Sequence, residues 1–309
     1  MNIVVVGSLN MDLVVRIPQI PKPGETLLGG VFKTYPGGKG ANQAVAATRL
    51  GAHVTMIGCV GDDAFGKELR AGLENEGIDI THVLVHPEAA TGVALIQVDA
   101  QGQNSIAVAS GANFCLTGSD IERAMQTIDD FDALVMPLET PLETIYTAAK
   151  IASHRGAKVL LNPAPAQVLA REIIERIDVL LPNEHEIAQI TGVPVQSVSD
   201  LSQAFSKLRQ LGLKNLVVTM GGHGAVLFNE KGRESFIPAC HVQVIDTTAA
   251  GDCFVGALAV GLCDGNSLID AAKFANAAAA LSVTREGAQP SLPNREEVLQ
   301  FFHERGKQQ

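Results

Sequence analysis

The stretch Asp246-Thr247-Thr248-Ala249-Ala250-Gly251-Asp252 follows an apolar run (Val242, Val244, Ile245) and opens a helix that continues through Phe254 to Cys263. Ala249, Ala250 and Gly251 carry almost no side chain, so the first turn offers bare backbone N–H groups to whatever approaches along the helix axis. Those unpaired donors and the positive end of the helix dipole favour an anion. Asp252 adds a carboxylate at the rim of that anion hole, within reach of the proton on a group that attacks the bound anion. An anion hole beside a base points to phosphoryl transfer. The competing reading makes Asp246 a strand-end turn residue and Asp252 a partner of the dipole, worth about 0.3–1 kcal/mol.

Outward from this stretch, the chain reads as α/β. Ile3 to Val6 is a β-branched run ending at Gly7-Ser8, a strand buried on both faces as in a parallel sheet. The following Gly7-Ser8-Leu9-Asn10-Met11-Asp12 lacks the second and third glycines of a dinucleotide fingerprint. Asn10 and Asp12, one residue apart, can point the same way into a crevice, and an amide with a carboxylate suits vicinal hydroxyls. An Asx-satisfied turn is the alternative. Leu13 to Ile17 and Thr26 to Tyr35 read as strands. Thr91 to Val98 and Asn104 to Ser110, flanking Asp99 to Gln103, read as a hairpin. These segments, about 12–35 and 91–110, are expected to form a small sheet that covers the crevice, assembled from two insertions.

Between them Pro36 to Ala47 is a glycine-rich turn leading into a helix. It is not a Walker A motif, because Gly40 rather than a hydroxyl residue follows Lys39. Its glycines let a ligand approach the backbone, Lys39 supplies charge, and Asn42 can both donate and accept. Further on, helix Ile121–Ile128, strand Ala133–Met136, helix Leu142–Ala152 and strand Lys158–Leu161 give regular parallel units. Leu138-Glu139 and Asn162-Pro163 follow strand ends, where open α/β sheets bind ligands. Strand Val179–Leu181 runs into Pro182-Asn183-Glu184-His185-Glu186. The N-x-x-E spacing is an ordinary helix cap, or a pair organising magnesium and phosphates through water. Strand Leu216–Val218 leads to the turn Thr219-Met220-Gly221-Gly222-His223-Gly224 and then Ala225–Phe228; such a turn can wrap a nucleotide. Helices Phe254–Cys263 and Asp270–Leu281 should pack side by side. Backbone carbonyls of the loop Thr284–Pro293, with Asp246 and Thr248, could hold a monovalent cation.

Composition narrows the partners. The 309 residues are 46% apolar and 18% charged with a formal net charge of -10 and no basic block, which argues against nucleic acid or an anionic membrane and for small molecules. The start carries no positive segment and only a short apolar run, so a cytosolic protein is expected. Five scattered cysteines without CxxC fit a reducing compartment, with Cys253 read as packing. His185-Glu186 begins like HExxH, but Gln189 stands at the fifth position, so no zinc site is expected.

Taken in order, GSLNMD, PGGKGANQA, LNPAP, PNEHE, TMGGHG, DTTAAGD and TREGAQPS resemble the ribokinase family of carbohydrate kinases over nearly the whole chain. The resemblance implies a single domain over 1–309: an open, mostly parallel α/β sheet with helices on both faces plus a small β lid. It implies transfer of the γ-phosphate of ATP to the 5-hydroxyl of D-ribose, with Mg²⁺ and an activating K⁺, in a homodimer paired through the lids. Asp252 then matches the proton acceptor, and Ala249, Ala250 and Gly251 the anion hole. Asn10, Met11, Asp12, Gly38, Lys39, Gly40, Ala41, Asn42 and Glu139 match the sugar site. Asn183, Thr219, Met220, Gly221, Gly222, His223, Gly224, Gly251 and Asn276 match the ATP site, and Glu186 matches the residue tied to magnesium. Asp246, Thr248, Ser282, Arg285, Gly287 and Ser291 match the potassium site. Met11 is bulkier than the small residue expected there and turns attention to 2-deoxyribose. Another sugar kinase of the family and a non-catalytic sugar sensor are the remaining alternatives.

Overall fold

The computed structural model describes residues 1–306. Strand β1 (Asn2–Val6) alternates its side chains between two apolar cores: Ile3 and Val5 enter one, Val4 and Val6 the other. A strand buried on both faces needs neighbours at both edges. It has parallel ones, β4 (His53–Gly61) and β8 (Ala133–Pro137). The sheet extends through β5 (Asp79–His86) on one side and β9 (Lys158–Asn162), β10 (Val179–Leu180), β11 (Asn215–Thr219), β12 (Gly224–Phe228) and β13 (Glu234–Pro238) on the other. Its nine strands lie in the order β13-β12-β11-β10-β9-β8-β1-β4-β5, all parallel except β12.

Helices cover both faces, as expected from the regular βα alternation. On one side pack α1 (Lys39–Arg49), α2 (Ala64–Asn75), α8 (Ala250–Cys263), α9 (Leu268–Ser282) and α10 (Arg295–Gly306). On the other pack α3 (Gly118–Thr127), α4 (Leu142–His154), α5 (Arg171–Ile174), α6 (Glu184–Thr191) and α7 (Val198–Gln210). Helix α8 is buried continuously from Asp252 to Leu262. A helix apolar all round must be enclosed, and α1 and α9 enclose it. The approach is close because the contact residues are small: a Cβ on Gly256 would stand 2.8 Å from both the Gln43 carbonyl oxygen and the Ala46 Cβ.

The second sheet is the lid. Strands β2 (Asn10–Arg16), β3 (Val31–Gly37), β6 (Gly92–Val98) and β7 (Asn104–Ala109) lie in the order β3-β2-β6-β7, from two insertions separated by α1, β4, α2 and β5. Two boundaries differ from expectation. Strand β2 starts at Asn10 rather than Leu13, so Asn10 and Asp12 belong to the lid and not to a turn before it. Strand β3 starts at Val31 rather than Thr26, because Gly29 and Gly30 adopt φ of 95° and 120°, outside the β region.

The segment before Asp246 also differs. Val242 to Ile245 is not a strand, and Val244 and Ile245 are each 58% exposed. The sheet edge is taken by β13, which the sequence reading did not find. The Ile245 and Asp246 N–H groups bond instead to the Val283 carbonyl, at 2.8 and 3.3 Å. Among the described residues no helix is long and apolar enough to cross a membrane.

The α1–α8 crossing yields a stability prediction. Gly256→Val forces the two helices apart and is expected to lower unfolding stability by about 1–3 kcal/mol, measured by urea denaturation; an unchanged midpoint and slope would show that the crossing has slack.

Candidate active site

Helix α8 begins in an unusual way. Its N-cap residue, Ala249, has φ 59° and ψ 10° and is the one non-glycine residue with positive φ among the described residues. An L-residue there costs roughly 1–2 kcal/mol, a strain typical of functional sites. No side chain caps the helix, and nothing lies within 4 Å of where a Gly251 Cβ would stand. The Ala250 N–H is taken by the Thr247 carbonyl at 3.2 Å, and the rest of the first turn opens to a ligand at Gly251, as the small residues lead one to expect.

Asp252 follows one residue later, 6% exposed. A buried carboxylate needs donors, and α1 supplies them. Asn42 Nδ2 donates to Asp252 Oδ2 at 2.9 Å and Gln43 Nε2 to Oδ1 at 3.0 Å. Helix α1 reaches this position because it starts without a side chain in the way: a Cβ on Gly40 would stand 2.6 Å from the Ser8 nitrogen. The other amide atoms, Asn42 Oδ1 and Gln43 Oε1, are buried and have no partner in the protein.

Two openings share Thr247, and this carboxylate lines the smaller. That cleft, of about 240 Å³, is also lined by Lys39, Asn162, Asn183, Glu186 and Gly251. A larger space of about 340 Å³ lies between the lid and the Thr284–Pro293 loop, with Asp12, Lys33 and Tyr35 on one wall and Asp246, Thr248 and Gly287 on the other. On β2, Asn10 and Asp12 share a face by strand alternation. Met11 is turned to the opposite side, fully buried in the apolar core. The sequence expectation that Met11 bulk shapes the sugar pocket is thus corrected: its side chain is core packing. Asn10 Oδ1 accepts from Asn113 Nδ2 at 2.8 Å, while Asn113 Oδ1 accepts from the Leu9 N–H at 2.9 Å. Glu139, at the end of β8, accepts from the Ser8 hydroxyl and, at 3.2 Å, from the Lys39 N–H.

The charges are strongly coupled. Burial, then the carboxylates of Glu139 and Asp252, push the Asp12 carboxyl up to about 7, with Lys39 pulling the other way. The Lys39 ammonium is held above its usual value by Asp252 first, against its own desolvation, and then by Glu139, Glu186 and Asp12. Burial raises Glu186 although the Asn183 N–H and Lys39 oppose it.

The nucleotide-side residues fall into two groups. Asn183 and Glu186 form a reciprocal capping box on α6, each backbone N–H donating to the other side chain at 2.8 Å, so the ordinary-cap reading is correct, and both also line the cleft. Thr219 ends β11 at that cleft. Met220 leads to a tight turn over Gly221–His223, and Gly224 opens β12. Asn276 lies elsewhere on this side: its Nδ2 donates to the Pro238 carbonyl at 2.9 Å in an apolar pocket of about 320 Å³ with Phe236, Cys240 and Phe301.

At the Thr284–Pro293 loop, Asp246 Oδ1 accepts from Thr248 N–H and Oγ1, at 2.9 and 2.6 Å, and Oδ2 from Gly287 N–H at 3.0 Å. Burial works against the charge, but these donors hold the Asp246 carboxyl below its usual value. Ser282 and Ser291 are fully buried, their hydroxyls donating to the Ala279 and Ala288 carbonyls, each at 2.8 Å. The Arg285 guanidinium is bound to Glu297 instead, at 2.6 Å, so only its backbone remains for the loop. Cys253 is wholly buried and its thiol is pushed up to about 12 by desolvation, consistent with packing. Ser8, Gln43 and Asn113 were missed as site residues. Their signal in the sequence is a polar side chain inside an otherwise small and apolar stretch, as in Gly40-Ala41-Asn42-Gln43-Ala44.

Asp12 gives a pH prediction. Folded, it takes up its proton near pH 7; unfolded, near the ordinary 3.8. Between those values the folded chain holds the extra proton, so stability falls as pH rises. Asp12→Asn removes that loss and is expected to stabilise the ligand-free protein by on the order of a few kcal/mol at pH 8 and by little at pH 4. An equal gain at both pH values in denaturant titrations would contradict the assignment.

Comparison with known proteins agrees with this geometry. The model of the pfkB family carbohydrate kinases matches residues 1–295. A ribokinase of Haemophilus influenzae is 45% identical over 301 residues, covering 97% of this chain and 98% of its own. A deoxyribokinase of Salmonella typhimurium is 41% identical over 303 residues, covering 98% and 99%. The structure of Arabidopsis thaliana ribokinase complexed with ribose and ATP superposes with a TM-score of 0.89 at 34% identity, covering 97% of each chain. With its open-ended α8, its lid and these relatives over nearly its full length, the chain belongs to the pfkB family of carbohydrate kinases.

Proposed function

We propose that the protein transfers the γ-phosphoryl group of ATP to the 5-hydroxyl of D-ribose, giving D-ribose 5-phosphate and ADP. The observation that carries this reading is Asp252, a carboxylate held by two amides at an uncapped helix start, beside a polar lid crevice and a lysine-bearing cleft. In this reading the chain works as one α/β unit with the small sheet as its lid. Asn10, Asp12, the Gly38–Asn42 turn and Glu139 hold the sugar hydroxyls. Asp252 accepts the 5-hydroxyl proton as the oxygen attacks, and the amides of Ala249, Ala250 and Gly251 stabilise the transferred charge with Lys39. Asn183 and the Thr219–Gly224 turn attend the nucleotide phosphates and sugar, and the apolar pocket beside Asn276 suits a flat base. The mechanism is mostly positioning and electrostatics.

Two ions complete the reading. Magnesium, bound with ATP, supplies charge neutralisation on the β- and γ-phosphate oxygens. Magnesium keeps several waters and is commonly held by one or two carboxylates together with substrate phosphates. Glu186 keeps one oxygen in its cap and has the other to reach that ion through water. A potassium ion fits the hard oxygen donors gathered by Asp246 and Thr248 with Ser282, Arg285, Gly287 and Ser291, mostly through carbonyls. The protein is assigned to the cytosol. It is also read as a homodimer through the lid, a reading supported by Val31, Phe32, Leu95, Ile106 and Val108, each at least half exposed there.

The second reading, 2-deoxyribose as preferred sugar, is favoured by the identity to a deoxyribokinase. Against it stands the polar crevice: a missing hydroxyl leaves buried partners unpaired at about 1–3 kcal/mol each.

The test is a coupled ATP-to-ADP assay with D-ribose, 2-deoxyribose, fructose and adenosine at matched low concentration. Ribose should lead 2-deoxyribose by about 5–150-fold in kcat/KM; the reverse order would move the specificity, and no turnover with any sugar would favour a sensor. Asp252→Ala should lower kcat by about 10²–10⁴-fold with folding intact, and near-normal turnover would remove the general base. Replacing sodium by potassium should stimulate turnover, whereas indifference would dismiss the cation loop.

A further inference from the structure

Gln43, one of the two donors to Asp252, is itself held by Asn162, so that two amides link the catalytic carboxylate to the backbone after β10. Asn162 Nδ2 donates to the Leu181 carbonyl at 2.9 Å. That bond orients the Asn162 amide, so its Oδ1 faces Gln43, whose Nε2 donates to it at 3.1 Å. The same nitrogen donates to Asp252 Oδ1 at 3.0 Å. With both N–H bonds spoken for, the Gln43 amide has a single orientation, and its Oε1 is buried without a partner in the protein. The arrangement is built rather than incidental, since Gln43 is wholly buried and Asn162 is 9% exposed.

We propose that Gln43 is a positioning residue for phosphoryl transfer, which, anchored through Asn162 to the end of β10, fixes the Asp252 carboxylate in the rotamer that receives the sugar proton. Asn42 alone, bound to Oδ2, would leave the carboxylate free to turn about its Cβ–Cγ bond. Gln43 on Oδ1 stops that rotation. The anchor is also informative. Leu181 leads directly into Pro182-Asn183, the start of the α6 cap that lines the nucleotide cleft. The chain therefore ties the base to the backbone on the ATP side, and holds the attacking and transferring sides in one frame. Gln43 donates from one nitrogen to both neighbours, so the loss of Asn162 frees its amide to turn and loosens its hold on Asp252. The charged groups coupled to Asp252 are Lys39 of α1, Asp12 of the lid and Glu186 of α6; Glu139, beside them after β8, shares their coupling to Lys39 and Asp12. Gln43 is neutral, so replacing it changes donors without changing net charge.

This inference rests on Asp252 being the proton acceptor, and the experiment separates the two. Gln43→Leu and Asn162→Leu are compared with the parent protein and with Asp252→Ala, measuring kcat and sugar KM, with thermal unfolding to confirm the fold. Gln43→Leu should lower kcat by about 10–100-fold with sugar KM nearly unchanged, the scale of a misplaced reacting group. Asn162→Leu should show the same change at smaller size. The Asp252 carboxyl carbon resonance, observed by NMR in the ligand-free protein, should move in Gln43→Leu whatever sugar is turned over. If Gln43→Leu does not fold, Asn162→Leu decides. An unmoved resonance, or a loss confined to KM, would overturn the proposal.

Discussion

The structure depends on burying one charged carboxylate in a helix that is otherwise apolar. Leaving such a group without partners costs several kcal/mol, and hydrogen bonds to a charged group return about 1.5–3 kcal/mol each. The donors that meet this requirement, Asn42 and Gln43, lie more than 200 residues earlier in the chain, on α1. They arrive only if α1 and α8 cross closely, which requires small residues at Gly256 and Ala46, and only if α1 starts tight against the end of β1, which requires Gly40. The same crossing forms the interior of one of the two cores. Fold and site are in this sense one packing problem, and the polar contacts at its upper end determine which way the helices face.

The electrostatics give the ligand-free site its character. Asp12, Glu139, Glu186 and Asp252 surround the ammonium of Lys39, and burial first, with the surplus of negative charge adding to it, pushes the Asp12 carboxyl up to about 7. In the proposed function, sugar hydroxyls relieve this by donating to carboxylates, and an anionic phosphate gains least from that side and most from Lys39 and the uncapped start of α8. On that reading the two kinds of ligand are sorted by charge into the two openings, hydroxyls toward the lid and phosphate toward α8.

Much of this was legible in residue patterns, and the limits were physical. Alternation alone places Asn10 and Asp12 on one face. The same rule, applied one residue further, turns Met11 away from the crevice, which reading the motif as a unit obscured. Gln43 stood out as a polar residue in a small, apolar stretch, but helical neighbours normally diverge by about 100°, and only the position of Asp252 between them shows that Asn42 and Gln43 reach one carboxylate. Asn113 orients Asn10 across 103 residues, a contact no local pattern encodes. The apolar run before Asp246 looked like a strand because its burial depends on whether the sheet edge is free. Once β13 closes that edge, Val244 and Ile245 are left facing the lid. The Asn183–Glu186 pair illustrates the reverse case: a local rule described its geometry correctly, and only tertiary placement set the cap at the mouth of the cleft.

The lid follows from how the chain leaves β1. Instead of entering a helix, as in a βα unit, it continues through Leu9 into β2, so the first polar residues past the strand end sit on the small sheet. The return through β3 leads straight into α1, so Gly37 and Lys39 join lid and body within three residues. Any movement of β3 is thus felt at the start of the helix that holds Asp252. At the far edge the lid meets the Thr284–Pro293 loop through Tyr35 against Gly287 and an exposed Lys33–Glu286 pair at 4.0 Å. Such a pair contributes at most about 1 kcal/mol, enough to align the two surfaces but too little to lock them. In the proposed function the sugar's hydrogen bonds span Asn10 and Asp12 on the lid and Asn42 and Glu139 on the body, and they are the stronger link. On that reading closure is driven by the substrate rather than by the protein alone, and water is excluded when the reacting hydroxyl is already in place.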